Sequence, residues 1–165
     1  MSAAGLTVIH NDYVAPPLGD IQPVNLVTTE AIESFWPRVR PLLERCVNEA
    51  MHGELLVDDI KQLALNRQIT LMVFTDDVTA TNPAGKVHLA VAVEPMAYPR
   101  LPGVNILAMG GSNFGLVQKK YWEYFKGWVK LNGAQMIEAS VSPAMERILR
   151  RYGYVKTYSH VRCKL

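Results

Sequence analysis

Apolar residues recur at helical spacing in the first part of the chain. Between residues 29 and 50 they fall on one face of a helix, namely Phe35, Val39, Leu42, Leu43, Cys46, Val47 and Ala50. Pro37 and Pro41 lie inside this stretch. Because proline removes a backbone donor, we expect a short first turn and a helix that resumes near Pro37. A second stretch with the same spacing predicts a helix at 57–66.

Short apolar runs predict the strands, which lie at 25–28, 69–74, 86–93, 104–109, 136–141 and 154–163. An aromatic stripe predicts a helix at 116–131, and Pro143 opens a short helix that ends at Tyr152. The order βααβββαβαβ predicts an α/β fold class, with a single domain at 24–165. We expect a mixed central sheet of about six to seven strands flanked by about four helices. The proline-rich residues 1–23 predict an N-terminal extended arm.

Composition narrows the class of protein. The 165 residues are 49% hydrophobic and 19% charged, which favours one globular domain and excludes a disordered chain. Only Cys46 and Cys163 are present, so a disulfide scaffold is excluded, and their separation shows no metal-ligand spacing. No apolar run approaches the roughly 20 residues of a membrane helix, and the N-terminus does not resemble a signal peptide. The sequence therefore predicts a cytoplasmic protein without a membrane partner.

The net charge of +2 conceals a division between two parts of the chain. Residues 1–109 carry seven Lys and Arg against twelve Asp and Glu, a balance of −5. Residues 110–165 carry ten Lys and Arg against three Glu, a balance of +7. This division suggests that the C-terminal part meets an anion. The alternative is two solvent-exposed faces of different charge.

A glycine-rich segment, Gly110 to Gly115, joins a predicted strand to a predicted helix. Glycines allow backbone amides to approach phosphate oxygens, and the helix dipole favours negative charge there. Lys119 or Lys120 would add positive charge. The segment matches neither the dinucleotide-binding nor the P-loop pattern. The alternative is a tight turn that needs positive φ.

Several short motifs stand in a characteristic order along the chain. They are Phe35-Trp36-Pro37, His52-Gly53-Glu54-Leu55 leading to Asp59-Ile60, Tyr98-Pro99-Arg100, Gly110-Gly111, Trp128-Val129-Lys130 with Gly133, and Arg147-Ile148-Leu149 leading to Arg151-Tyr152-Gly153-Tyr154. With the order of the elements, they make residues 24–165 resemble the GNAT acetyltransferase family. More narrowly, the chain is similar to the small GNAT-like proteins encoded by bacteriophages.

The resemblance implies that acetyl-CoA lies between the fourth and fifth strands. The pantetheine would then pair with the backbone of Leu107, Ala108 and Met109. The pyrophosphate would lie on a loop whose cofactor-binding residues are Gly110, Gly111, Ser112, Asn113 and Gly115, with Lys119 nearby. This sequence departs from the family's phosphate motif at Phe114. It also has Leu149 where the family often places a tyrosine that protonates the departing thiolate.

Acetylation of an amine requires a base, because the attacking nitrogen must lose a proton. Glu94 ends an apolar strand and would serve as this base in a buried environment, whereas in solvent it would be an ordinary strand-end carboxylate. His52 is the second catalytic candidate, since histidine titrates near neutral pH. Its alternative role is to cap the preceding helix. No metal site is expected.

Two functions from different classes follow. The first is an acetyl-CoA-dependent N-acyltransferase acting on an amine of a small molecule or a protein. The second is a catalytically inactive GNAT-fold protein, phage-encoded, with a virion-associated structural or partner-binding role. In that case residues 1–23 would contact other phage or host proteins, and the location would be the host cytoplasm or the virion. A homo-oligomer is compatible with both functions, and a nucleic-acid partner is disfavoured because few aromatic residues lie between the basic ones.

Overall fold

A computed structural model describes residues 21–50, 53–76, 85–111, 114–163 and 165. The predicted arm therefore lies almost entirely outside the described residues. Its last two residues, Gln22 and Pro23, belong to the first strand, β1, which spans Gln22–Leu26. β1 thus starts earlier than the sequence pattern indicated.

The first helix, α1, runs without a break from Thr29–Ala50, with both prolines inside it. The expected interruption at Pro37 is therefore wrong. Both prolines are exposed and lie one turn apart, so the carbonyl groups that lose their partners face water rather than the core. The opposite face of α1 is buried and supplies enough packing to keep the helix intact.

Five strands form one sheet in the described part of the chain, in the order β1-β2-β3-β4-β5. The later strands span Thr70–Asp76 for β2, Lys86–Met96 for β3, Gly103–Gly111 for β4 and Met136–Ala139 for β5. Neighbouring strands are antiparallel except for β4 and β5, which are parallel. The α/β fold class with a mixed sheet is confirmed, but the described residues form five strands rather than six or seven.

The missing strand is the predicted one at 154–163. These residues have no regular secondary structure, although their sequence is typical of a strand. They follow α4, which spans Pro143–Leu149, and a single 3₁₀ turn at Arg150–Tyr152 that ends at Gly153 with φ of 87°. A strand requires a neighbouring strand for its backbone hydrogen bonds, and residues 154–163 pair with no described strand.

The helices cover both faces of the sheet. α1 and α2, which spans Val57–Leu65, pack on one face. α3, which spans Phe114–Leu131, packs on the other, where the predicted aromatic stripe is buried. The central strands are consequently buried on both sides, as expected for a continuous apolar run. Within the described ranges, no helix is both long enough and apolar enough to span a bilayer.

Candidate functional site

β4 and β5 pair over only half the length of β4. Gly103 to Ile106 of β4 pair with Met136 to Ala139 of β5. Beyond Ile106, β4 continues to Gly111 and pairs with β3 alone. No described strand lies against the other edge of β4 between Leu107 and Gly111, which therefore presents backbone donors and acceptors without a ladder partner.

A β-bulge in β4 lies directly after the last residue that pairs with β5. Ala108 pairs with Ala92, whereas Ile106 pairs with the next residue of β3, Val93, so Leu107 is the extra residue of β4. A bulge bends its strand and increases its twist. The bulge thus lies where the pairing of β4 with β5 ends, at the position where a cofactor was expected.

The three residues expected to pair with pantetheine all lie on this unpaired length. Ala108 is buried, while Leu107 and Met109 are half-buried. Leu107 and Ala108 pack with the core on the α1 side of the sheet, and Met109 packs on the α3 side. Their side chains are thus occupied by packing, which leaves the backbone edge as the part available to a ligand.

Gly110 and Gly111 belong to the end of β4 rather than to a turn. Neither has positive φ, so the alternative of a tight turn does not apply to them. A Cβ atom on Gly110 would overlap the backbone carbonyl of Leu42 in α1, and one on Gly111 would overlap the carbonyl of His88 in β3. These two glycines therefore permit close packing of α1 and β3 against β4.

The expected phosphate loop leads into the N-terminus of α3. Ser112 and Asn113 lie outside the described residues, and Gly115 is in the first turn of the helix. The first four amides of a helix lack intrahelical acceptors and carry the positive end of its dipole. Lys119 is exposed in the second turn, so this end of the β4 edge has the electrostatics of an anion site.

Three polar side chains form a row across the sheet beside the bulge. Glu94 of β3 is opposite Asn105 of β4, which is opposite Glu138 of β5. The amide of Asn105 donates a hydrogen bond of 2.6 Å to Oε1 of Glu94. Strand spacing places Glu94 and Glu138 roughly 10 Å apart. Their apolar neighbours Val93 and Ile137 pack toward α3, so this carboxylate row faces the α1 side.

Tyr98 extends the carboxylate row toward solvent. Its hydroxyl donates to the carboxylate of Glu138 at 3.3 and 3.4 Å, and the residue is 39% exposed. Partial burial, followed by the charge of Glu138 and the neighbouring Tyr158, raises the pKa of Tyr98. Beside it is a cavity of about 530 Å³ lined by Tyr98, Pro99, Arg100, Leu101, Met136 and Tyr158.

The structure brings only part of the predicted site together. Glu94 is half-buried beside the point where the pairing of β4 with β5 ends, whereas His52 lies outside the described residues. Sequence reasoning missed Asn105 and Glu138. Each is a polar residue between two apolar ones in a strand, which indicates a side chain on the opposite face. Only the strand register shows that they lie beside Glu94.

Leu149 occupies the position where the GNAT resemblance places a tyrosine. It is 7% exposed and lies in the last turn of α4. Tyr154 follows shortly after, and its ring contacts Trp122 with centroids 5.1 Å apart. Burial raises the pKa of the Tyr154 hydroxyl, which has no hydrogen-bond partner among the described residues. Nor do the described His, Cys, Asp and Glu residues form a group that could hold a metal ion.

Solved acetyltransferases share this architecture. An aminoglycoside N-acetyltransferase in complex with CoA superposes with a TM-score of 0.61 at 11% identity, covering 88% of this chain and 94% of that one. Glucosamine-6-phosphate N-acetyltransferase from Arabidopsis thaliana gives 0.57 at 12%, covering 87% and 97%. A GNAT family acetyltransferase from Staphylococcus aureus gives 0.57 at 14%, covering 89% and 100%. No protein-family model and no curated protein matches the sequence. The chain therefore has the GNAT fold.

Proposed function

We propose that this protein is an acetyl-CoA-dependent N-acyltransferase. The observation that carries the proposal is the bulge at Leu107. It lies where the pairing of β4 with β5 ends, next to the carboxylate row, and the unpaired edge of β4 leads to the N-terminus of α3. An extended, anionic ligand would find backbone hydrogen-bonding groups along its length and helix amides at its end.

The residues present fit acetyl-CoA at this edge. Leu107, Ala108 and Met109 would supply backbone groups to pantetheine, and the amides between Gly111 and the first turn of α3 would hold the pyrophosphate. The bound cofactor would supply an acetyl group activated as a thioester. We assign phosphate binding mainly to the N-terminus of α3, because the close contact with Leu42 already explains why residue 110 is a glycine.

The carboxylate row would receive the amine. Glu94 would accept the proton that the ammonium group loses before the nitrogen attacks, and its Oε2 atom is not bonded by any described residue. Asn105 would hold the Glu94 carboxylate in position through Oε1. Glu138 would attract an acceptor that carries a second positive charge.

Calorimetry with acetyl-CoA, followed by an assay of free thiol release with a panel of primary amines, tests this function. We expect Glu94→Gln to lower kcat about 10²- to 10⁴-fold, with unchanged affinity for acetyl-CoA. Glu123→Gln is the matched control, because Glu123 is on α3 and is paired with Lys126. Absence of heat and of thermal stabilisation at millimolar acetyl-CoA would refute the proposal.

The second candidate function is that of a GNAT-fold protein without catalytic activity. It is favoured by the buried apolar Leu149, which offers no proton to a departing thiolate. This protein would be phage-encoded and virion-associated, with residues 1–23 contacting a partner. Deletion of residues 1–20 would then abolish assembly with that partner while the domain stays folded. Thiol release that depends on an added amine and on Glu94 would exclude this candidate.

A further inference from the structure

A groove of about 730 Å³ lies on the α3 side of the sheet, between α3 and the chain that follows α4. Trp122, Lys126, Val129 and Lys130 line it. These residues are three or four positions apart, so they lie on one face of α3. From Trp122 to the turn at Gly133 this face is roughly 16 Å long. The groove therefore has the dimensions of a small-molecule site.

The groove is separate from the edge proposed for acetyl-CoA. Ile137 of β5 lines the groove and is opposite Val104 of β4. The unpaired edge begins at Leu107, three residues further along β4 and thus roughly 10 Å away. Among the described residues, those that line the groove include none from β4 and none from the first two turns of α3. A ligand in the groove and acetyl-CoA would therefore bind independently.

One end of the groove is aromatic. The ring of Tyr154 contacts the ring of Trp122 with centroids 5.1 Å apart, and the ring of Tyr152 meets Trp122 edge-on at 6.1 Å. Gly153 joins the two tyrosines with a φ of 87°, so the chain turns there and brings both rings to the helix. Rings held in this way favour a flat, apolar ligand body that packs against them.

The Tyr154 hydroxyl supplies a hydrogen-bond donor at the aromatic end. It is buried, and no described residue bonds it. A buried hydroxyl without a partner costs free energy, which a ligand oxygen that accepts its proton would recover. The hydroxyl of Tyr121 is also buried and unbonded in the described ranges, but only Tyr154 lines the groove.

The opposite end of the groove is cationic. Lys130 lines it beside the turn that follows α3, and its ammonium group forms no ion pair with a described residue. Lys126 lies between the two ends, where it pairs with Glu123 at 2.9 Å and is 5.7 Å from the centre of the Trp122 ring. No aspartate or glutamate is among the described residues that line the groove. This charge distribution favours an anionic ligand.

We propose that the groove binds an aromatic carboxylate that carries a second oxygen on its ring system. The carboxylate would lie beside Lys130, and the rings would pack against Trp122 and Tyr152. The second oxygen would accept a hydrogen bond from the Tyr154 hydroxyl. This inference does not rest on the proposed function, because it uses none of the residues assigned to acetyl-CoA or to the amine.

Calorimetry and thermal denaturation with hydroxynaphthoate test the ligand class. This probe is a two-ring carboxylate with a phenol oxygen far from the carboxylate. We expect it to bind and to stabilise the protein. Its neutral primary amide and the aliphatic carboxylate decanoate should each bind about tenfold more weakly. Equal or tighter binding of either compound overturns the proposed class, and so does the absence of heat and of stabilisation at millimolar hydroxynaphthoate.

Two exposed valines of the same segment provide a matched pair for locating the ligand. Val155 is 81% exposed and lines the groove, whereas Val161 is 87% exposed and is not among the residues that line it. Val155→Glu should weaken hydroxynaphthoate binding about tenfold at low salt, because it places a like charge beside the carboxylate. Val161→Glu should leave the affinity unchanged. Equal effects of the two variants would place the ligand outside the groove and overturn the proposal.

Tyr154→Phe tests the hydrogen bond. It should weaken hydroxynaphthoate binding about fivefold and leave the affinity for naphthoate, which lacks the phenol oxygen, unchanged. The stability of the ligand-free protein should not fall, because the hydroxyl has no described partner to lose. An equal loss with both ligands would contradict the assigned hydrogen bond. Saturating acetyl-CoA should not alter hydroxynaphthoate binding, and displacement by acetyl-CoA would overturn the proposal of a separate site.

Discussion

Tyr121 and Tyr124 lie three positions apart on α3, and both rings contact Phe74 edge-on, with centroids 5.3 and 5.8 Å away. Their hydroxyls differ in hydrogen bonding. The hydroxyl of Tyr124 accepts a hydrogen bond of 3.5 Å from the amide of Asn25. The hydroxyl of Tyr121 is buried without a hydrogen-bond partner in the described part of the protein. The two tyrosines therefore make a matched pair for measuring the cost of an unpaired buried hydroxyl.

We predict that Tyr121→Phe raises the free energy of unfolding by about 1 kcal/mol, because it removes a desolvated hydroxyl that has no partner. Tyr124→Phe should lower it by about 1 kcal/mol, because the Asn25 amide loses its acceptor. Urea denaturation at pH 7 measures both changes. A loss of stability in Tyr121→Phe would show that its hydroxyl has a partner in solution.

Tyr121 also makes stability sensitive to alkaline pH. Burial, with a smaller effect of Tyr154, raises the pKa of Tyr121 well above its usual value. Above about pH 10 the unfolded chain releases this proton while the folded chain retains it, so the folded state loses stability as the pH rises. Denaturation between pH 8 and pH 11 should show a shallower decline in Tyr121→Phe than in the wild type. Parallel declines would contradict this prediction.

At the scale of elements, the contact between α1 and β4 holds the candidate site in shape. A Cβ atom added to residue 110 would lie 2.0 Å from the carbonyl oxygen of Leu42. The helix therefore packs directly on the strand backbone. The same strand carries the bulge at Leu107 and the edge proposed for acetyl-CoA. The position of α1 and the shape of this edge are therefore coupled through Gly110.

We predict that Gly110→Ala lowers the free energy of unfolding by about 3 kcal/mol, because either α1 or β4 must move. Gly103→Ala is the control in the same strand. Its nearest backbone atom would be the carbonyl oxygen of Met136 at 3.1 Å, which a small shift accommodates. Thermal denaturation compares the two variants, and equal losses would argue against a special role for the α1 contact.

At the scale of the whole molecule, the positive charge of residues 110–165 is spread over several places. Lys126 and Lys130 line the groove that Trp122 and Ile137 also line. Arg150 pairs with Glu146, and Arg162 pairs with Glu54. The hydrogen bond from Arg150 lowers the pKa of Glu146. Only a fraction of the +7 balance therefore lies near the N-terminus of α3, where the proposed cofactor would bring its phosphates.

The affinity for acetyl-CoA should depend on where a charge lies rather than on the net charge of residues 110–165. We predict that Lys119→Glu weakens binding about fivefold at low salt, with the difference shrinking as ionic strength rises. Lys126→Glu changes the total charge equally but lies two turns further along α3, beside Glu123, and should alter affinity little. Calorimetry at two salt concentrations measures both. Equal effects would indicate a long-range field instead of a site.

The sequence by itself determined nine of the ten predicted elements and their order, because helix and strand periodicities are local properties. The face of α1 that is buried, the aromatic stripe of α3 and the class of fold all follow from such patterns. Glu94 could be nominated in the same way, as a carboxylate that ends an apolar run. None of these inferences needs a contact between distant parts of the chain.

Only the tertiary structure decided the features that depend on strand register and on contacts between distant residues. The bulge at Leu107 and the row that joins Glu94 to Asn105 and Glu138 arise from the alignment of three strands. The continuity of α1 through its prolines depends on which of its faces meets water. Residues 155–163 have the sequence of a strand but pair with no described strand, because pairing requires a neighbour that local sequence does not specify.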